Sequence, residues 1–326
     1  MMKILPINIT PLLKTYQNTA LPLAAVSCGT HEEDIVKYCI NHFIQLRYHR
    51  NRKMLDFWHS RYSDWYCIEV QNTLRNDFFN ICNLSILEII KNAIDQNLYV
   101  YTIVNEFYIP ERNRYQKEYY PHDILIYGYN EDGVIALGYN DRLVLSPVTV
   151  PYSMFIEAVQ SVQHLFFIDF FTYASYNAYT INMKQIECYL KDYIYSENSD
   201  YKYKFMNTDS ICSYGINAIF EMFHHEKTEF ESNGNLDFRN FDCYYEHKRM
   251  KQLRIQSVGQ ILGDDQYNVE YAKIKNDAFI IRNLALKAKK LKELKIIEDI
   301  ENRIKNNVEQ EIVLLSELLL KISQNI

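Results

Sequence analysis

Between residues 98 and 151 the chain runs in short β-branched and aromatic stretches broken by turn residues; beyond Pro151 its apolar residues recur every three or four positions. That switch restricts it to a mixed α+β fold with a helical continuation. Leu98–Val104 follows the turn cluster Asp95-Gln96-Asn97 and is predicted as a strand. His122–Tyr129, Gly133–Tyr139 and Leu143–Pro151 are three further strand-like runs, and Asn130-Glu131-Asp132-Gly133 is a hairpin signal in which Asp-Gly supplies the positive φ. An antiparallel sheet of four strands is therefore expected over 98–151. Upstream, Thr19–Cys28, Glu32–Tyr48 and Asn80–Asn97 have helical spacing.

After Pro147 and Pro151 the pattern is amphipathic helix. The expected organisation is a mixed α+β domain over 1–150 and an all-helical domain over 151–326. Asn182 and Asp209 stand at N-cap positions. In the last helix Ile297, Ile300, Ile304, Val308, Ile312, Leu315, Leu319 and Ile322 form one stripe, which needs a long partner such as Asn268–Lys290. Ser196–Ser210 and Lys227–Asn235 read as polar loops.

With 48% apolar and 23% charged residues among 326, the chain can build a sizeable core. A formal charge of −6 lacks the basic excess that phosphate backbones demand, so nucleic acid is not an expected partner. No run of about 18 apolar residues occurs, and the N-terminus lacks a basic segment leading into an apolar one. No membrane association is expected, and a soluble, cytoplasmic protein is. Cysteines 28, 39, 67, 82, 188, 212 and 243 form no C-x-x-C pair and no spacing with histidine that suits a metal, so reduced thiols and no structural metal are expected. Only eight glycines are present, and neither nucleotide-binding glycine motif occurs; no cofactor is expected.

The chemistry-bearing residues lie on the first helix and the sheet. A helix N-terminus favours thiolate and oxyanion through its free N–H groups and dipole, so residues 18–21 are where a nucleophilic cysteine would act. Position 20 is alanine. His122 opens one predicted strand and Asn140 ends the next, an arrangement that sets a base beside an orienting amide in the order Cys, His, Asn of papain-like enzymes. A histidine opening a strand is also a common polar edge residue. Asp123 points to the other face and reads as structural, with Asp141 a fallback for the orienting role. The N–H of residue 20 and the amide of Gln17 or Asn18 would face an oxyanion. Cys28, ahead of Gly29, is the fallback nucleophile, although it sits at the unfavourable end of its helix. Thr19 reads as a capping hydroxyl, and Cys39, Cys67 and Cys82 as small core residues. Adjacent His224-His225-Glu226 diverge on a helix and suit a solvated face better than a metal. Lys287, Lys289, Lys290, Lys292 and Lys295 form a basic run, a solvated face or a dock for an acidic carrier protein.

The segment Val104-Asn105-Glu106-Phe107-Tyr108-Ile109-Pro110, then Arg112, Tyr115, Gln116, Lys117 and His122-Asp123-Ile124-Leu125-Ile126-Tyr127-Gly128-Tyr129, resembles the family of the butirosin biosynthesis protein H N-terminal domain; Phe43-Ile44-Gln45-Leu46-Arg47 and Glu246-His247-Lys248 resemble segments of the same group. The likeness covers most of the first 150 residues. It implies a papain-like cysteine-protease-type domain used as an acyltransferase: an acyl group moves from the thioester of an acyl carrier protein through a cysteine to a small amine acceptor, giving an amide in natural-product biosynthesis. A peptidase or amidase of the same fold, or a non-catalytic pseudoenzyme that binds acyl-carrier substrates, are the alternatives. A homodimer is an open option. The family's cysteine falls near position 20, where this chain has Asn18-Thr19-Ala20-Leu21. A natural loss of the nucleophile or an engineered cysteine-to-alanine replacement would each account for the alanine, and the retained His122 and Asn140 favour the second.

Overall fold

The structure is a computed structural model that describes residues 2–59, 61–75, 85–162, 167–175, 179–204 and 211–325. Cys82, Asp209, the beginning of the predicted 80–97 helix and residues 205–210 of the expected 196–210 loop lie outside these residues, and Ser199–Lys204 of that loop is helical. The chain divides into two compact units, Met1–Val36 with Ser60–Tyr179 and Lys37–His59 with Thr180–Ile326. This division differs from a single break near 150. A strand at 167–173 still belongs to the sheet, and residues 37–59 belong with the helical unit.

Unit 1 is built on one antiparallel sheet. Its strands are β1 (Lys3–Ile4), β4 (Ile68–Arg75), β5 (Tyr99–Asn105), β6 (Pro121–Tyr129), β7 (Gly133–Tyr139), β8 (Leu145–Pro151) and β9 (Phe167–Tyr173), in the order β4-β9-β5-β6-β7-β8 with β1 on β6. The four predicted strands are present within two residues of their expected ends. Three more belong to it: β4 and β9 extend the sheet, and the two-residue β1 pairs with β6. Phe167–Tyr173 is buried through its middle, so it reads as an apolar run without alternation; its one charge, Asp169, accepts a hydrogen bond from the Thr73 hydroxyl at 2.6 Å and another from the Tyr62 hydroxyl. Helices α1 (Gln17–Val26), α3 (Ile86–Asp95) and α4 (Tyr152–Gln160) pack on the sheet, and α2 (Glu32–His42) carries the break between the units.

Unit 2 has a small sheet, β10 (Cys212–Tyr214) on β2 (Leu46–His49) on β3 (Met54–Phe57), and helices α5 (Met183–Tyr195), α6 (Ser199–Lys204), α7 (Gly215–Asn233), α8 (Phe238–Leu262), α9 (Gln266–Leu291) and α10 (Leu294–Asn325). The expectation of an all-helical unit is thus corrected by this sheet, and that of one helix over 32–48 by β2: Leu46-Arg47-Tyr48-His49 alternates buried and half-buried and pairs on both sides. Lys227–Asn235, expected as a loop, is helix to Asn233, because buried Glu226 and Phe230 continue the inward face. Asn182 caps α5, its side chain accepting from the Gln185 N–H at 3.1 Å.

The stripe along α10 packs on α9 as expected, but Ile312 is only half-buried and Glu311 is wholly buried. Glu311 accepts from Lys248 Nζ at 2.5 Å, Lys251 Nζ at 3.0 Å, the Tyr193 hydroxyl at 2.5 Å and the Tyr271 hydroxyl. One carboxylate thereby ties α5, α8, α9 and α10 together. Beside it Asn307 accepts from Tyr244 at 2.6 Å, and Arg254 donates to the carbonyls of Ile40 at 2.7 Å and Phe43 at 2.8 Å, closing the end of α2.

Candidate functional site at the start of the first helix

The first helical residue is Gln17, so α1 begins two residues earlier than the sequence pattern predicts. Tyr16 is the N-cap residue, in extended conformation and without a side-chain cap. Thr19 is therefore an interior, buried residue rather than a cap. Ala20 has no exposed surface, and its N–H already donates to the Tyr16 carbonyl at 2.9 Å. It is neither accessible nor a free oxyanion donor. Pro22, the sixth helical residue, cannot donate back to the Asn18 carbonyl, and Asn18 itself is exposed. The helix ends at Val26 with Ser27 as C-cap, and Gly29, at φ +59, opens a separate 3-10 turn.

Gln17 binds both strands that carry the predicted site. Its side-chain Nε2 donates to the Asp123 carbonyl of β6, and its Oε1 accepts from the Tyr139 N–H of β7 at 3.4 Å. Paired residues of β6 and β7 end at Leu125 and Leu137; two residues further Asp123 and Tyr139 would face each other, and there the side-chain amide replaces the ladder bonds. The helix start is thus fastened beside His122 and Asn140. One Nε2 hydrogen and the Oε1 of Gln17 are thus committed to the strands, a structural role that the sequence did not suggest beside the oxyanion role expected for it.

The predicted histidine–asparagine pair does not form as expected. Asn140 Oδ1 accepts from the N–H groups of Arg142 and Val144, each at 3.0 Å, and organises the turn into β8, in which Leu143 takes φ +59. Replacing Asn140 by alanine is expected to cost about 1 kcal/mol in chemical denaturation through the loss of these bonds, with the imidazole resonances of His122 unmoved. Asp141, the fallback, is exposed, and its N–H donates to the Glu111 carbonyl at 2.8 Å. The His122 imidazole stacks on the Tyr120 ring, with centroids 5.5 Å apart, and its Nδ1 lies 3.6 Å from the Glu106 carboxylate.

Alternation along β6 separates two settings. On one face Asp123 accepts from the Tyr101 hydroxyl at 2.6 Å, and Tyr62 lies against Tyr101. Burial, with Asp169 beside it, pushes the Tyr62 hydroxyl far above its ordinary value. Asp123 is structural, as expected. On the other face lie His122, Glu106 and Arg112. Burial pushes the Glu106 carboxyl up against the opposing pull of His122 and Arg112; burial also lowers the Arg112 guanidinium to about 10. Neither Glu106 nor Arg112 has a role in the expected site. In the sequence they stand only among the residues that carry the resemblance, with no role assigned.

Cys28 is half-buried, its Sγ donates to the Ala24 carbonyl at 3.3 Å, and burial raises the thiol. It is held protonated at the negative end of α1, which argues against the fallback nucleophile. In unit 2, Glu226 accepts from Asn240 Nδ2 at 2.5 Å and the Asp237 N–H at 2.8 Å, and burial pushes it up to about 7. His224 instead lines a cavity of about 220 Å³ with Phe220, Phe223 and Ile304. Among the described residues no group of His, Cys, Asp and Glu could hold a metal ion. The lysines of the basic run at 287–295 are exposed where α9 ends and α10 begins. No helix among the described residues is long and apolar enough to cross a membrane.

A search of curated proteins finds no match for the chain. Residues 34–141, 108 of the 326, match the family profile of the DUF6005 N-terminal domain, a span that contains Glu106, Arg112, His122 and Asn140 but begins after Gln17, Ala20 and Cys28.

Proposed function

We propose that unit 1 is a papain-like scaffold without its thiol, and that the chain binds acyl groups carried as thioesters on a carrier protein without forming an acyl-enzyme. The carrying observation is the Gln17 clamp. It sets the helix start between the two strands of the expected site, yet fills that place with a committed amide, while Ala20 is sealed and Asn140 serves its own turn. The resemblance carried by residues 104–129 supplies the ligand class. With an acyl-carrier thioester and a diamine, the protein is expected to bind the loaded carrier saturably, to gain no acyl mass and to release neither amide nor acid. Failure to distinguish loaded from unloaded carrier would remove this reading.

A second reading, amide-forming acyl transfer, is favoured by one observation: the half-exposed imidazole of His122 lies 3.6 Å from a carboxylate, a base beside an acid. Amide in the same incubation, lowered about 100-fold by His122→Ala, would establish it and displace the first; free acid alone would make the chain a hydrolase. Either turnover through an acyl-enzyme would need a thiol, so Ala20→Cys is the companion variant.

A further inference from the structure

On the face of the unit 1 sheet opposite Asp123, two nitrogen atoms are buried without hydrogen-bond partners among the described residues: Arg112 Nη2 and His122 Nδ1. Arg112 as a whole is 5% exposed, and no carboxylate of the described residues forms an ion pair with it. Its guanidinium lies against Gly138. A Cβ there would stand 2.4 Å from Nη2, 2.7 Å from Cζ and 2.9 Å from Nη1, so only glycine leaves room for it. Continuing the β6–β7 register from Leu125–Leu137 sets Gly138 opposite Ile124, and Ile124 shares its face with His122. The guanidinium and imidazole therefore occupy neighbouring positions on one face. His122 is 35% exposed at its side chain, which gives the pair an opening.

Burying a guanidinium with an unused N–H is costly, and the cost falls when an anion accepts from it. We propose that Arg112 and His122 form a binding site for a small-molecule carboxylate, with Arg112 Nη2 and His122 Nδ1–H donating to its oxygens. A planar carboxylate suits the planar fork of arginine. Glu106 is the rival: its carboxylate holds the place nearest His122, at 3.6 Å, without reaching hydrogen-bond distance. A bound carboxylate must displace or neutralise it. This site goes beyond the thioester reading, and the two fail separately, because neither carrier nor thioester enters the test.

The test is titration of the isotopically labelled full chain with sodium acetate, and separately with inorganic phosphate, following the side-chain nitrogen resonances of Arg112 and His122. Saturable shifts of both with acetate are expected. Arg112→Met and Gly138→Ala, the second displacing the guanidinium without removing it, should each weaken acetate at least tenfold. Glu106→Gln should tighten it several-fold, a sign opposite to that of a generally damaged site. Should Arg112→Met fail to fold, Gly138→Ala and Glu106→Gln still decide the matter. Absence of saturable shifts, a response to phosphate alone, unchanged affinity in the Gly138 variant, or weaker binding in Glu106→Gln would each overturn the proposal.

Discussion

Glu311→Leu is expected to cost about 3–5 kcal/mol of folding stability, measured by urea denaturation, because it leaves two buried ammonium groups without their shared counter-charge. Lys248, Lys251 and Glu311 have no exposed side-chain surface, so solvent cannot replace what is removed. Burial alone would push Glu311 up, but Lys248 and Lys251 outweigh it and hold the carboxyl well below the usual range; burial, meanwhile, drives Lys251 far below the usual lysine value. Two lysines share one carboxylate, so repulsion from Lys248 adds to the lowering that burial imposes on Lys251, against the pull of Glu311. For the carboxylate the sign is clear: a folded-state value below the unfolded one of about 4.3 contributes stability that is complete at neutral pH and drains away as the pH falls below that value. The triple change Lys248→Met, Lys251→Met, Glu311→Leu should restore stability to near that of the parent, since well-packed apolar groups can replace a buried ion cluster. Wild-type stability in the single Glu311 variant would show that the cluster is not charged as described.

The second large effect is expected at Gln17. Gln17→Leu keeps the side chain's bulk but strands the Asp123 carbonyl and the Tyr139 N–H, each worth about 1–3 kcal/mol when buried and unpaired, so a loss of about 2–4 kcal/mol is expected. Hydrogen exchange provides the local readout: the Tyr139 amide should exchange much faster while amides in the paired middle of β6 and β7 keep their protection. Unchanged protection at Tyr139 would mean that the clamp does not hold in solution.

How far the sequence could be read follows from which residues obey a local rule. β5 to β8 were legible because Asp95-Gln96-Asn97, Asp132-Gly133 and Asn140-Asp141 punctuate them. β9 was not, because a strand buried through its middle loses the alternation that marks strands, and its one charge, Asp169, is an acceptor for Tyr62 and Thr73. The final helix was legible in its stripe, but Glu311 within it was hidden: a glutamate in a helix looks solvated unless its partners on three other helices are known. The site was located more truly than it was described. Gln17, His122 and Asn140 do meet one end of the sheet, yet their roles differ, since Asn140 binds its own turn and Gln17 spans two strands. Glu106 and Arg112 were beyond reach, because their meaning depends on the bend that folds Glu106–Tyr108 back toward β6.

The hairpin of β2 and β3 gives the chain a constraint in time. Its edge strand, Leu46–His49, is completed by Cys212–Tyr214, which a ribosome makes only after the intervening sheet has emerged. At ~5–20 residues per second the wait is about 10–30 s. During it an unpaired edge with Leu46 and Tyr48 must stay soluble. Neither half can be obtained by a single cut: a fragment starting at Thr180 lacks its hairpin, and one ending at Tyr179 carries that hairpin with nothing to receive it.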